Sequence, residues 1–158
     1  MRTYLHVVPA LAVFALLACN GPSPNQQTAA SSAPANVACE SPAQAIAIGA
    51  EVSGEITATA EPYPANARYY CFAVGEGAPS VTLRLSGLTA DLDLYVGSVS
   101  LRSVQGVDIS RGQTYQWKSN DFGAGDEQVV IQSPAAGVYY AEIVSYEGAG
   151  SPYTFSVR

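Results

Sequence analysis

Hydrophobic and polar residues alternate along much of the chain after Val37, with the period of two that is typical of β-strands. The alternation is clearest over 81–86, where Val81, Leu83 and Leu85 are separated by polar residues, and it returns over 91–96. The other predicted strands are Gln44–Ile56, Arg68–Val74, Tyr115–Ser119, Glu127–Gln132, Gly137–Ser145 and Tyr153–Val157. Clusters of Gly, Pro, Asn or Asp separate these segments. About eight short strands of this kind predict one all-β domain, an antiparallel sandwich or barrel, over residues 37–158.

The first residues of the chain follow a different pattern. Residues 5–18 form an apolar block that follows Arg2 and is too short to span a bilayer as a stable helix, which is typical of a secretory signal peptide. The block ends in Leu16-Leu17-Ala18-Cys19, which resembles the lipobox of bacterial lipoproteins, where a lipid is attached to the cysteine before cleavage ahead of it. We therefore expect residues 1–18 to be a signal peptide and Cys19 to carry a lipid anchor. An ordinary signal peptide followed by a chance cysteine is the alternative.

Residues 19–36 are predicted to be a flexible tether, because this stretch is rich in Pro, Ser, Ala and Gln and has almost no large apolar side chain. Asn20 follows the predicted lipid-bearing cysteine. By resemblance to the sorting rule of enteric bacteria, an asparagine there favours the outer membrane. The sequence thus predicts a domain held by a lipid anchor in a membrane of the cell envelope.

Removal of the signal peptide changes the available chemistry. It would discard Arg2 and the single histidine, His6, which leaves six basic residues against 13 acidic ones. Without histidine, the mature chain has no Ser-His-Asp or Cys-His arrangement. A scattered set of basic residues in an acidic domain also makes a nucleic-acid partner a poor fit. We therefore expect a protein that is not an enzyme and does not bind nucleic acid.

Two thiols, those of Cys39 and Cys71, remain once Cys19 carries lipid. In an oxidising cell envelope an isolated pair of this kind usually forms a disulfide. A metal or redox role is the alternative, but it would require closer spacing or further ligands.

Several segments, taken in order, resemble the bacterial pre-peptidase C-terminal domains. Asp91-Leu92-Asp93-Leu94-Tyr95-Val96 is similar to the DxDLYV strand of that family. The other similar segments are Ile48–Ile56, Trp117–Asn120, Asp126-Glu127, Gly137–Tyr140 and Tyr153–Val157. Together they cover about residues 40–158, the whole predicted domain.

The resemblance implies a jelly-roll-like β-sandwich related to the calcium-binding, collagen-binding modules of clostridial collagenases. Such domains usually accompany a secreted protease and serve in secretion, folding or substrate attachment. The chain departs from the family at two acidic positions. Asn66-Ala67-Arg68 stands where many members have Asp-x-Asp, and Cys39-Glu40-Ser41-Pro42 stands where calcium-binding members have an acidic segment.

The acidic residues nevertheless suggest a metal site. Asp91 and Asp93 are predicted to project from one face of a strand with their Cα atoms about 7 Å apart. Two carboxylates this close raise each other's pKa unless a cation or hydrogen-bond donors neutralise them. A calcium ion takes six to eight oxygen ligands, and Asp121, Asp126 and Glu127 follow in a glycine-rich region that would complete its shell. The alternative is a solvated acidic face.

Aromatic residues are the candidates for contact with an organic ligand. Trp117, next to Lys118, and Tyr95 offer rings of the kind that bind sugars and peptides, although aromatic residues also favour strands for structural reasons. The predicted function is a membrane-anchored, non-catalytic accessory or binding module with a protein or polysaccharide ligand. A structural envelope lipoprotein, or an assembly factor for a separately encoded secreted protease, is the alternative.

Replacement of Cys19 by Ser tests the lipid anchor. The variant should leave the membrane fraction or accumulate unprocessed, because the acyl chains contribute about 0.8 kcal/mol of membrane affinity per buried methylene. Cell fractionation and intact mass of the mature protein measure this. Unchanged membrane association of Cys19→Ser, together with a wild-type mass that contains no lipid, would contradict the anchor.

Overall fold

A computed structural model describes residues 37–60, 66–105, 115–145 and 148–158. The predicted signal peptide, Cys19 and the tether lie outside these ranges. The strands are β1 Gln44–Ala45, β2 Glu51–Ile56, β3 Ala67–Val74, β4 Ser80–Ser86, β5 Leu92–Ser98, β6 Trp117–Ser119, β7 Glu127–Gln132, β8 Gly137–Ser145 and β9 Ser151–Val157. A single turn of 3-10 helix, Leu101–Ser103, follows β5. Nothing helical in the described ranges is long and apolar enough to cross a membrane.

The strands form two sheets, which confirms the predicted all-β sandwich. The five-stranded sheet has the order β1-β3-β8-β5-β6, and the four-stranded sheet has the order β2-β9-β4-β7. The two-residue strand β1 runs parallel to β3, and the other strand pairs are antiparallel, as predicted. The predicted strand Gln44–Ile56 is divided at a turn where Gly49 has a φ of 90° and the Ala50 amide donates to the Ala47 carbonyl over 3.0 Å. Its two halves join different sheets.

The space between the sheets holds the main hydrophobic core. Phe72 from one sheet and Phe155 from the other are both fully buried there. The hydroxyl groups of Tyr70 and Tyr153 form a hydrogen bond of 2.8 Å between the two sheets, which satisfies two polar atoms inside an apolar core. Gly54 is required opposite this pair, because a Cβ at that position would overlap the Tyr153 ring.

The outer face of the five-stranded sheet is buried as well. A second cluster includes Tyr69, Tyr95 and Tyr140 from the central strands, covered by Leu101 and Val104 after β5. The strands β3, β5 and β8 are therefore buried on both faces, with the exception of a few positions near their ends. This corrects the expectation of a half-buried strand over 91–96, since the alternate residues on that strand are covered by another layer of chain.

The predicted disulfide between Cys39 and Cys71 is confirmed. The two Cα atoms lie 5.9 Å apart, and the bond attaches the segment before β1 to strand β3. Cys71 is fully buried in the second cluster, against which Val37, Cys39 and Ala43 pack. The bond therefore holds one part of the outer layer against the sheet.

Replacement of Cys39 by Ser tests how much this bond stabilises the domain. The sequence separation of the two cysteines is 32, for which the loss of loop-closure entropy in the unfolded chain amounts to roughly 3–4 kcal/mol. The melting temperature should fall by on the order of 10 °C, as measured by circular dichroism. A reductant should lower the wild-type melting temperature and leave that of Cys39→Ser unchanged. An equal effect of reductant on both proteins would contradict the assignment.

Candidate functional site

Acidic side chains gather at one end of the sandwich, where β5 and β7 begin and β6 ends. Asp91 immediately precedes β5, Asp93 is the second residue of β5, and Glu127 is the first residue of β7. Asp121 lies in the loop that connects β6 to β7. Asp91 thus stands one residue before the strand, and the projection of Asp91 and Asp93 from one face stays a prediction.

Glu127 is the most deeply buried of these carboxylates, with 0% of its surface exposed. It lies on the core face of β7, where the Ser119 hydroxyl donates a hydrogen bond to its Oε2. Burial raises the pKa of Glu127, and hydrogen bonds from Ser119 and the Asp121 backbone oppose this, while the charges of Asp121 and Asp91 raise it further. Its Oε1 has no hydrogen-bond partner among the described residues.

Asp93 lies on the outer face of the five-stranded sheet and is 6% exposed. The Tyr95 hydroxyl donates to its Oδ2 over 3.1 Å. Burial raises the pKa of Asp93 to about 6; the Tyr95 hydrogen bond lowers it, Asp91 and Glu127 raise it, and Lys118 lowers it. Burial and the neighbouring Asp93 charge also raise the pKa of the Tyr95 hydroxyl. The protonated form of each group is therefore more stable in the folded protein than it would be in water.

Asp91 interacts electrostatically with both Asp93, on the outer face, and Glu127, on the core face. Its charge raises the pKa of both Asp93 and Glu127, and its own Oδ1 is buried with no hydrogen-bond partner in the described chain. Asp126 does not belong to this group of carboxylates, because it forms an ion pair of 2.5 Å with Arg84, and both side chains are exposed. The structure thus brings together Asp91, Asp93, Asp121 and Glu127 from the predicted metal set, and it pairs Asp126 elsewhere.

The described carboxylates do not form a ready-made metal cage. Within 37–60, 66–105, 115–145 and 148–158, no three Asp, Glu, His or Cys side chains are arranged so that they could hold a metal ion. A cation at this end would need oxygens from other groups or from water to complete its shell.

The two predicted ligand-binding aromatics are mainly packing residues in this structure. Tyr95 is 4% exposed and contacts the Tyr115 ring at a centroid distance of 5.0 Å. Trp117 is partly buried and packs against the core, with its ring centroid 5.9 Å from that of Tyr139. A direct ligand contact by either residue stays a prediction, and the exposed part of Trp117 is the larger of the two surfaces.

Two further polar residues, Ser119 and Asn66, lie at the acidic end, and the sequence did not indicate either of them as a site residue. The Ser119 hydroxyl donates to Glu127 Oε2, and its Oγ accepts a hydrogen bond of 3.0 Å from the backbone N–H of Gln128. Asn66 is 5% exposed, and its amide donates to the Ser145 carbonyl over 3.2 Å. A single serine in a predicted strand carries no signal for such a role. Asn66, in contrast, occupies one of the positions at which the sequence departs from its family.

Two stacked sheets with their loops gathered at the ends define a β-sandwich module. The chain belongs to the family of bacterial pre-peptidase C-terminal domains, which matches residues 66–145, more than half of its length. The fold is similar to the pre-peptidase C-terminal domain of collagenase from Bacillus anthracis, with 16% identity, a TM-score of 0.52, and coverage of 78% of this chain and 99% of that one. A weaker likeness, with 14% identity and a TM-score of 0.44, covers 72% of this chain and 93% of Aeromonas hydrophila PliG, a periplasmic inhibitor of g-type lysozyme. No curated protein sequence matches this chain.

The raised pKa of Asp93 predicts an unusual pH dependence of stability. The folded-state pKa is about 6 and the ordinary value is 3.8, so the folded state binds the proton more tightly. Stability should therefore be highest at low pH in this window and should fall as the pH rises from about 4 to about 6. Asp93→Asn should remove most of this slope and stabilise the protein at pH 7 by on the order of 1–2 kcal/mol.

Urea denaturation of the full-length protein in chelator, at several pH values, measures this slope. Asp121→Asn, which changes an exposed carboxylate in the same region, is the control and should keep most of the pH dependence. A wild-type stability that rises between pH 4 and 6, or an Asp93→Asn variant that is less stable at pH 7, would contradict the burial of an ionised Asp93.

Proposed function

We propose that this protein is a non-catalytic binding module held by a lipid on Cys19 at a membrane of the cell envelope, the outer membrane by the sorting rule. The observation that carries the proposal is the family match over residues 66–145. The similar domain in Bacillus anthracis belongs to a collagenase, so the fold occurs as an attached module. The lipobox-like Leu16–Cys19 and the tether that follows supply the attachment in this chain.

A loop at the acidic end supplies a surface that fits a binding role. Phe122, in the connection between β6 and β7, is 87% exposed. Exposed apolar side chains are frequent in binding surfaces, and binding residues are frequently placed on loops. Phe122 follows Asp121 directly in the chain, and the charge of Asp121 acts on Glu127.

A calcium ion at the same end is the second part of the proposal. Asp91 Oδ1 and Glu127 Oε1 are buried oxygens without hydrogen-bond donors in the described chain. Buried polar atoms of this kind destabilise a fold unless a donor, a water or a cation compensates them. A calcium ion held by these two carboxylates would lower the repulsion around Asp93. Carbonyl and water oxygens would complete its coordination, since calcium accepts both.

The binding experiment uses immobilised full-length protein in detergent, with collagen, polysaccharides and a cell-envelope extract as probes. Collagen or a polysaccharide should bind saturably, and Phe122→Ser should weaken binding by about tenfold, the effect of losing one buried aromatic contact. Val130→Thr is the matched control, because Val130 is an exposed apolar residue on strand β7, 41% accessible. Capture of an endogenous protein partner alone would instead favour an assembly factor.

The binding assay and thermal denaturation of the protein are each carried out with calcium and with chelator. A bound ion stabilises the folded state by about 2.7 kcal/mol at a hundredfold excess over its Kd, so the melting temperature should rise with calcium beyond that of a sodium control at equal ionic strength. Asp91→Asn should remove the rise. Equal melting in calcium and in chelator would refute the ion and leave the binding function to be decided by the probes.

A further inference from the structure

A pocket of about 280 Å³ lies at the other edge of the five-stranded sheet. Strand β1 is only two residues long and pairs with Tyr70 and Cys71. The first residues of β3, 67–69, therefore extend past the N-terminal end of β1. Three segments of the chain line the pocket there, and they contribute Pro42 and Gln44, the stretch Ala67–Tyr70, and Gln105. None of the acidic-end carboxylates lines the pocket: Asp91 and Asp93 lie at the start of β5, and strand β8 lies between β5 and β3.

Arg68 provides the charge of this pocket. Its side chain is partly buried, and one Nη donates to the Ala67 carbonyl over 3.0 Å, which fixes the guanidinium against the strand. Arg84 and Arg158 form ion pairs with Asp126 and Glu51, whereas Arg68 has no carboxylate partner among the described residues. The remaining N–H groups of Arg68 are thus available for an anion in a chain that is acidic overall.

The other lining groups indicate what kind of anion fits. Gln44 and Gln105 are exposed side chains whose amides both donate and accept hydrogen bonds, as recognition of a hydroxyl group requires. Pro42 and the side of Tyr70 add apolar surface. A guanidinium recognises a carboxylate by two parallel hydrogen bonds. The volume of 280 Å³ is slightly below the roughly 300–1,000 Å³ of pockets for drug-sized ligands, which suits one sugar unit.

We propose that this pocket binds the carboxylate-bearing sugar unit of an acidic polysaccharide, a uronic acid, with Arg68 on its carboxylate and the two glutamines on its hydroxyl groups. The inference rests on the proposed binding function and specifies a ligand class for it. It uses none of the residues at the acidic end, so the two sites are tested separately.

The test is a titration of the full-length protein with methyl glucuronide and methyl galacturonide, followed by saturation-transfer NMR and calorimetry. At least one uronide should bind saturably. Arg68→Gln should weaken it by about ten- to a hundredfold, the effect of losing a charge-assisted hydrogen bond. Arg84→Gln, an arginine on the other sheet, should bind like the wild type. Methyl glucoside, which lacks the carboxylate, should bind much more weakly.

A second variant, Gln44→Ala, controls for the case in which Arg68→Gln fails to fold. Gln44→Ala changes an exposed residue, should melt like the wild type, and should weaken uronide binding by a smaller factor. The proposal is overturned if no uronide binds, if acetate or an acidic dipeptide binds as tightly as the uronides, or if both variants bind like the wild type. Failure of this test would not affect collagen or polysaccharide capture through Phe122, which the Phe122→Ser variant measures independently.

Discussion

Burial of both faces of the five-stranded sheet is the constraint on which the rest of the structure depends. Strands in a sandwich normally have one face in the core and one in water, but here β3, β5 and β8 are covered on both sides. The covering layer consists of the segment attached by the Cys39–Cys71 bond and the turn after β5. Polar groups on the outer face are consequently removed from solvent.

The electrostatics of the acidic end follow from burial on both faces of the sheet layer, Asp93 on the outer face and Glu127 on the core face. Asp93 lies on this outer face and is 6% exposed, and its burial raises its pKa to about 6. Tyr95 and Ser119 donate hydrogen bonds to Asp93 and Glu127, which offsets part of the cost of burial. Asp91 contributes charge to both carboxylates, so the outer face and the core are electrostatically coupled at this end.

The two proposed contact regions lie at different edges of the five-stranded sheet. The Phe122 loop follows the edge strand β6, and the Arg68 pocket lies beside the edge strand β1, with β3, β8 and β5 between the two edge strands. The chemistry also differs, since an exposed aromatic side chain suits a different contact from a guanidinium flanked by amides. A module with two separate surfaces would bind an extended polymer at more than one point.

The sequence by itself determined the all-β class, most strand positions, the family and the cysteine pair, because alternation, turn residues and an ordered set of local motifs are properties of short segments. It also placed Asp91 and Asp93 close together. The tertiary structure decided what lies beyond the reach of local pattern. It divided Gln44–Ile56 between two sheets, paired Asp126 with Arg84, buried Tyr95, and placed Arg68 in a pocket with Gln105. Each of these depends on contacts between residues far apart in the chain, and alternation reports only that a side chain faces one side of a strand, not whether another layer covers that side.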